Sequence, residues 1–434
     1  MSGLKRIMYA FILMSYSSCA FAQGTQSMVI DKADTVWMIV ATALVMFMTP
    51  GLALFYGGMV RKKNILSTIT QSFASLGVVS IVWILWGYSL AFAPDVSGLG
   101  LIGNLDLVGL KGVGFTSSTY AATIPHQLFM LFQMMFAVLT PAIITGAFAE
   151  RFKFRTYLVF LVLWITLVYS PLAHWVWGGG WIAKQLGALD FAGGLVVHIS
   201  SGIAALAAAL LIGKRRGYGS IPMPPHNLII TILGAAMLWV GWYGFNGGSA
   251  LSAGFLAVSA ILTTHIASAV GGVTWLLAEW IHRGKPTGLG FVSGALAGLV
   301  AITPASGYVT AFSSLIIGVV GGLVCYAFVS IIKPKLGYDD SLDAFGIHGI
   351  GGIWGAIATG LFASLAVNPA GANGFFYGNT ELLIAQTLSV IVAVVYAFVV
   401  TWIILKVLDI TMGLRITEDE ELQGLDLSQH GEKI

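Results

Sequence analysis

The sequence predicts an all-α polytopic membrane protein with eleven transmembrane helices, and three observations carry that expectation. Hydrophobic residues make up 57% of the 434-residue chain and charged residues only 9%, where soluble domains run near 25% charged. The apolar residues fall into eleven segments, and the basic residues between them gather in alternate loops. The 54 glycines cluster inside those segments. Spacings such as Gly351-x-x-x-Gly355, or Gly294 with Gly298, let helix backbones approach closely and imply a tight bundle.

In chain order, Lys5-Arg6, the apolar run Ile7 to Tyr16 and Ala20-Phe21-Ala22 have the layout of a cleavable signal peptide over residues 1–22. That run is too short to span comfortably, and its removal would leave the new amino terminus outside the cytoplasm. A membrane domain is expected over 23–410, with segments at 34–58, 67–92, 125–149, 155–174, 190–213, 227–246, 253–281, 288–303, 307–332, 343–366 and 380–408. Arg61-Lys62-Lys63, Arg151, Lys153, Arg155, Lys214-Arg215-Arg216, Arg283, Lys285, Lys333, Lys335, Lys406, Arg415 and Lys433 lie on one side. Only Lys32, Lys111 and Lys184 lie on the other, sixteen against three. By the positive-inside rule the amino terminus is out and the carboxyl tail in, as expected of a multi-pass protein of the inner (plasma) membrane. Residues 411–434 form a cytoplasmic tail. In it Thr417-Glu418-Asp419-Glu420 reads as a capping box, opening a helix from Glu418 to Gln423 that Gly424 ends. The cysteines Cys19 and Cys325 make no framework, thiol motif or metal cluster.

Two histidines stand inside apolar segments, where ionisable groups are costly and functional by default. His198 lies in DFAGGLVVHISSG and His348, 150 positions later, in DAFGIHGIGGIWG. They fall on the fifth and tenth segments, which fits an inverted five-plus-five repeat of the kind transporters use. At 1.5 Å per residue, His198 is about 12 Å beyond Asp190, and His348 about 7–8 Å beyond Asp343. Both therefore lie within a hydrocarbon core of about 30 Å, approached from opposite faces. This arithmetic does not decide whether they touch. His174, near an outer helix end, reads as an interfacial residue, and His126 and His265 as packing or vestibule residues.

DFAGGLVVHISSG is very similar to the signature of the ammonium transporter family, the Amt proteins with their Mep and Rhesus relatives. The resemblance covers nearly the whole chain: GLALFYGGMVRKKN at 51–64, GAFAERFKF at 146–154, AHWVWGGGW at 173–181 and WYGFNGGSAL at 242–251. It continues with DDSLDAFGIHGIGGIWG at 339–355 and GLRITEDEELQGLDLSQHGE at 413–432. The pattern is closest to bacterial Amt. It implies a homotrimer in which each subunit has its own hydrophobic pore for ammonium or ammonia. Trp177, Phe136 and Ser249 match an outer site that recruits ammonium, and Asp190 matches an acidic residue needed near it. Phe136 and Phe245 match the stacked rings that close the pore, with Phe132 one turn before. His198 and His348 match the twin histidines lining its middle. The family pattern also implies a regulatory tail, and in bacteria a PII-type signalling protein at the cytoplasmic mouth. One departure is a residue more between Trp177 and Asp190 than in the best-known bacterial pattern.

The residue chemistry stands beside that resemblance. An aromatic face attracts a cation by about 0.5–1 kcal/mol when exposed and 2 or more when desolvated, but Trp at a helix end is equally an interfacial anchor. Asp190 would bind a cation directly or, as the favoured alternative, cap its helix. A bare cation in an apolar pore bears a desolvation cost of many kcal/mol. Ammonium escapes that cost by leaving a proton behind, as potassium cannot, and two neutral imidazoles offer the resulting ammonia a donor and an acceptor. The competing readings are a passive gas channel of Rhesus type, told apart by whether substrate evokes current, and a sensor that scarcely transports. No nucleophile–base constellation, H-E-x-x-H spacing or nucleotide-binding loop suggests an enzyme. No cofactor, metal or nucleic acid is expected.

Overall fold

The computed structural model describes residues 29–433. The signal peptide expected over residues 1–22, with Cys19, lies outside the described residues. Among the described residues no strand forms, and ten helices are long and apolar enough to cross a membrane. They are α1 (Lys32–Met59), α2 (Lys62–Phe92), α3 (His126–Phe148), α4 (Phe154–Val176), α5 (Gly194–Ile212), α6 (Leu228–Gly248), α7 (Phe255–Arg283), α9 (Ala311–Leu336), α10 (Phe345–Phe362) and α11 (Thr380–Met412). The expected segment 288–303 is a shorter apolar helix, α8 (Gly288–Ile302). Its residues from Ser293 to Ile302 are all buried. A helix enclosed by protein rather than lipid has no need of spanning length.

The helix starts are chemically marked. The Asp31 carboxylate accepts the Asp34 N–H at 2.8 Å. Asn227 accepts those of Ile229 and Ile230 at 3.1 and 3.2 Å, and the Thr287 hydroxyl accepts that of Gly290 at 2.9 Å. Each satisfies donors that helix geometry leaves orphaned, which matters most where no water reaches.

Glycine sets the helix approaches. On α1, a Cβ at Gly51 would stand 3.0 Å from Met237 Cβ and 3.3 Å from the Gly234 carbonyl of α6. The approach that places the site is the crossing of α5 and α10, where a side chain at Gly202 would overlap the backbone of Gly349. Both of these helices open with a π turn, Gly194–Ile199 in α5 and Phe345–Gly349 in α10, and each turn contains one histidine. Such widened turns are frequent at functional sites.

The tail forms α12 (Glu418–Gln423) and α13 (Leu425–His430). Its capping box is made as expected. The Thr417 hydroxyl accepts the Glu420 N–H at 3.3 Å, the Glu420 carboxylate accepts that of Thr417 at 2.7 Å, and Gly424 ends the helix at φ 100°.

Candidate functional site

A column of five aromatic rings runs through the bundle and separates two cavities. Trp177, the C-cap of α4, meets Phe136 of α3 edge-on at 5.9 Å between centroids. Phe136 lies 4.2 Å from Phe245 of α6, and Phe245 is stacked 5.9 Å from His198. His198 is 5.3 Å from His348. Phe132, one turn before Phe136, braces it at 4.9 Å and 67°. Phe132, Phe136 and Phe245 are at most 1% exposed, so side chains fill the space between the cavities.

Above the column, a vestibule of about 220 Å³ is lined by Trp177, Phe136, Ser249, Gln133, Tyr120 and Phe191, among others. Below it, at the end that carries the tail, a cavity of about 10 Å³ is bordered by His348, Trp242, Tyr56 and Asp343. That is about the room of one water. The Ser249 hydroxyl donates to the Phe245 carbonyl at 2.8 Å, which leaves its lone pairs free for a donor in the vestibule. Trp177 is tied down at its polar end, its indole N–H donating to the Asp190 carbonyl at 2.9 Å. The Trp177–Asp190 interval, one residue longer than expected, contains a π turn at Ile182–Leu186.

His198 and His348 touch, with Nδ1 of one 3.2 Å from Nδ1 of the other. His198 is fully buried and His348 is 6% exposed. Each histidine lies eight residues past a buried aspartate that caps its helix. The Asp190 carboxylate accepts the N–H groups of Gly193 at 2.8 Å, Gly194 at 2.6 Å, Leu195 at 2.7 Å and Val196 at 3.4 Å. The Asp340 carboxylate accepts those of Ala344 at 3.1 Å and Phe345 at 2.8 Å. Asp190 is 6% exposed and does not line the vestibule. Of the eight residues expected at the site, six form the column or line its vestibule, and Phe132 braces the column from the side. Asp190 stands behind it, holding the first turn of α5.

Sequence reasoning passed over Trp242, Thr303 and Gln133. Trp242 stacks on His198 at 5.5 Å and 23°, and it precedes Phe245 by three residues on α6, a spacing that puts both on one helix face. That signal was available. Thr303 gave none, because it lies 105 positions from the histidine it approaches. Gln133 is one residue past Phe132 on α3 and 9% exposed. His174, expected at an interface, is instead fully buried, with Nδ1 3.0 Å from the Ala91 carbonyl and Nε2 3.2 Å from the Asp95 carboxylate.

At the tail end, charged loops pair with one another near Asp343, which borders the lower cavity. The Asp339 carboxylate accepts the Arg215 backbone N–H at 2.7 Å, Nε at 2.9 Å and Nη2 at 2.8 Å. Burial works against its charge, yet the hydrogen bonds from Arg215 and the nearby Arg151 guanidinium hold its carboxyl below the usual carboxylate range. Lys333 pairs with Asp343 and donates to the Asp340 carbonyl at 2.7 Å.

Comparison with known proteins identifies relatives along most of the chain. The sequence model of the Ammonium Transporter Family matches residues 36–434. The chain is 59% identical over 403 residues to an ammonium transporter of Bacillus subtilis, covering 93% of this chain and 98% of that protein. It is 50% identical over 403 residues to ammonium transporter Amt1 of Archaeoglobus fulgidus, covering 93% and 99%. Among solved structures, Mep2 of Candida albicans is similar at a TM-score of 0.85 with 40% identity, covering 90% of this chain and 88% of that one. A sensor Amt protein is similar at a TM-score of 0.85 with 31% identity, covering 92% and 98%.

Proposed function

The chain belongs to the ammonium transporter family and moves ammonium across a membrane that it crosses many times, and from that premise we propose how its column of rings does so. A cation entering the vestibule meets the faces of Trp177 and Phe136 and the open lone pairs of Ser249. These hold ammonium by cation–π attraction of about 0.5–2 kcal/mol and one hydrogen bond. Below, Phe136 and Phe245 must part to let anything through, and they offer a bare ion nothing in return for its water. Ammonium that hands a proton to vestibule water becomes a neutral molecule that fits this path, and the proton crosses separately by way of the histidine pair, so that net transport carries charge. The histidine pair then gives ammonia a ring nitrogen that accepts one of its N–H groups in an otherwise apolar passage. The observation that carries this reading is the unbroken ring column from Trp177 to His348 between two cavities. Asp190 acts by holding the first turn of α5, and so His198, in place.

The same reading takes α8 as an eleventh span in an inverted five-plus-five arrangement. The Asp190–His198 and Asp340–His348 pairs, alike in spacing, capping and π turn, support it. The basic loops support an orientation with the tail end in the cytoplasm and the vestibule outside, in the cell's inner (plasma) membrane. A trimeric assembly is supported by His265, ten residues into α7 and about 15 Å along it, which is exposed on the single subunit. It bonds the Tyr243 hydroxyl at 2.7 Å. Lipid offers such a polar pair nothing, whereas a neighbouring subunit would cover it. A PII-type signalling protein at the cytoplasmic mouth would be a further partner, with α12 and α13 as a regulatory tail beside it.

The test is substrate-evoked current in liposomes under ammonium and potassium gradients, compared with a His198→Leu/His348→Leu double variant. Ammonium current with potassium excluded is expected, and the double variant should lose either transport or selectivity. Unchanged uptake and unchanged potassium exclusion in the double variant would sink the histidine path. Ammonia movement without current in the unaltered protein would favour a passive channel of Rhesus type. The likeness to a sensor Amt protein keeps one further reading open to the same measurement: ammonium binding with scarcely any flux.

A further inference from the structure

We propose that Thr303 is a positioning residue that fixes which ring nitrogen of His198 carries its proton, and through it the tautomer of His348. Thr303 caps the end of α8, with its hydroxyl facing α5 and α6. Three groups converge on that single oxygen. It lies 2.7 Å from the Leu299 carbonyl, 2.9 Å from Trp242 Nε1 and 3.3 Å from His198 Nε2. A carbonyl only accepts, so the hydroxyl proton goes to Leu299. An indole nitrogen only donates, so Trp242 takes one of the two lone pairs. What remains for His198 is the other lone pair, and Nε2 must donate to it. Turning the hydroxyl proton toward His198 instead would leave two oxygens 2.7 Å apart with no hydrogen between them.

The consequence passes along the pair. In neutral His198 a proton on Nε2 leaves Nδ1 bare, so across the 3.2 Å contact it is His348 Nδ1 that donates. His348 Nε2 is then the one ring nitrogen of the pair with neither a proton nor a protein partner among the described residues, and its ring borders the tail-side cavity. Thr303 thereby gives two chemically alike imidazoles unlike ends. His198 is closed off against the protein, and His348 is open toward the side that carries the tail. This rests on the histidine path proposed above, but the tautomers belong to the protein at rest and are measured without transport.

Solid-state NMR of ring-15N-histidine-labelled protein in liposomes at neutral pH tests the assignment, with the two rings identified from His198→Gln and His348→Gln spectra. The expected result is His198 protonated at Nε2 and His348 at Nδ1. A bare Nε2 on His198 in the unaltered protein overturns the proposal with no Thr303 variant needed. Thr303→Val keeps the volume and removes the oxygen, and it should shift the His198 tautomer ratio by roughly tenfold, the scale of one hydrogen bond. Thr303→Ser keeps the oxygen and should return the original spectrum. A Thr303→Val spectrum identical to the original also overturns the proposal, even if transport falls, since Thr303 would then act through packing alone. A shifted tautomer with unaltered transport supports the assignment and counts instead against the histidine path.

Discussion

Trp177 and Asp190 are joined by a hydrogen bond, yet one lines the vestibule and the other stands behind it. The ring of Trp177 faces the cavity and its N–H is bound to the Asp190 carbonyl, so an anchoring bond and a cation-binding face coexist in one side chain. Trp177→Leu should raise the half-saturating ammonium concentration roughly two- to thirtyfold, the cation–π range, with a smaller change in maximal rate. Trp177→Phe keeps an aromatic face but a smaller one, without the N–H, and should fall between. Equal half-saturation in all three proteins, measured in uptake assays, would reduce Trp177 to an anchor. Asp190 spends both carboxylate oxygens on four backbone N–H groups. Bonds to a charged acceptor are worth about 1.5–3 kcal/mol each, so Asp190→Ala should lower the unfolding temperature together with transport. Transport lost at an unchanged unfolding temperature would instead point to contact with substrate.

At the scale of the element, the tail is the part whose role depends on where it docks. Capping chemistry makes α12, but its placement comes from partners far away in the chain. Glu421, 3% exposed, accepts from Arg415 at 2.7 Å and from the Arg216 backbone at 2.7 Å, and Arg216 also pairs with Glu418. Lys63 donates to the carbonyls of Glu421 and Leu422, both at 2.7 Å. Asp426 accepts the Ser67 N–H at 2.8 Å, and Asn64 accepts that of Leu425 at 2.9 Å. The tail thus bridges the start of α2 and the loop after α5, the helix of His198. Exposed ion pairs contribute about 0–1 kcal/mol, so the docking acts through many contacts together. Truncation after Met412 should reduce flux in liposomes at equal protein density while membrane insertion and assembly size stay as they were. Full-rate transport by the truncated protein would remove the tail from the mechanism.

For the molecule as a whole, the informative surface is the exposed polar pair His265 and Tyr243 on α7 and α6. A polar side chain facing lipid destabilises, and one that bonds across a subunit interface stabilises. His265→Leu separates the two by sign. If the face is covered by a second subunit, the variant should dissociate at lower detergent concentration, read by native mass spectrometry. A more thermostable variant with assembly unchanged would show that this face meets lipid.

Most of the fold was legible because lipid imposes it. Long apolar runs must be helical when no water satisfies the backbone, and the expected segments match the helices to within five residues. The ring and histidine positions were legible from motif resemblance, and the tail helix from its capping box, which is local. What the sequence alone could not supply is contact between distant segments. The Nδ1–Nδ1 approach of His198 and His348 needs the glycine crossing at Gly202 and Gly349, and no depth arithmetic yields it. The hydrogen-bond arithmetic at Thr303 needs Leu299, Trp242 and His198 around one oxygen. The burial of Asp190 as a cap behind the vestibule is likewise a matter of where α5 begins in space. Local chemistry and the bilayer decide which residues form helices. Only packing decides which side chains share a path, because that depends on how closely the backbones approach.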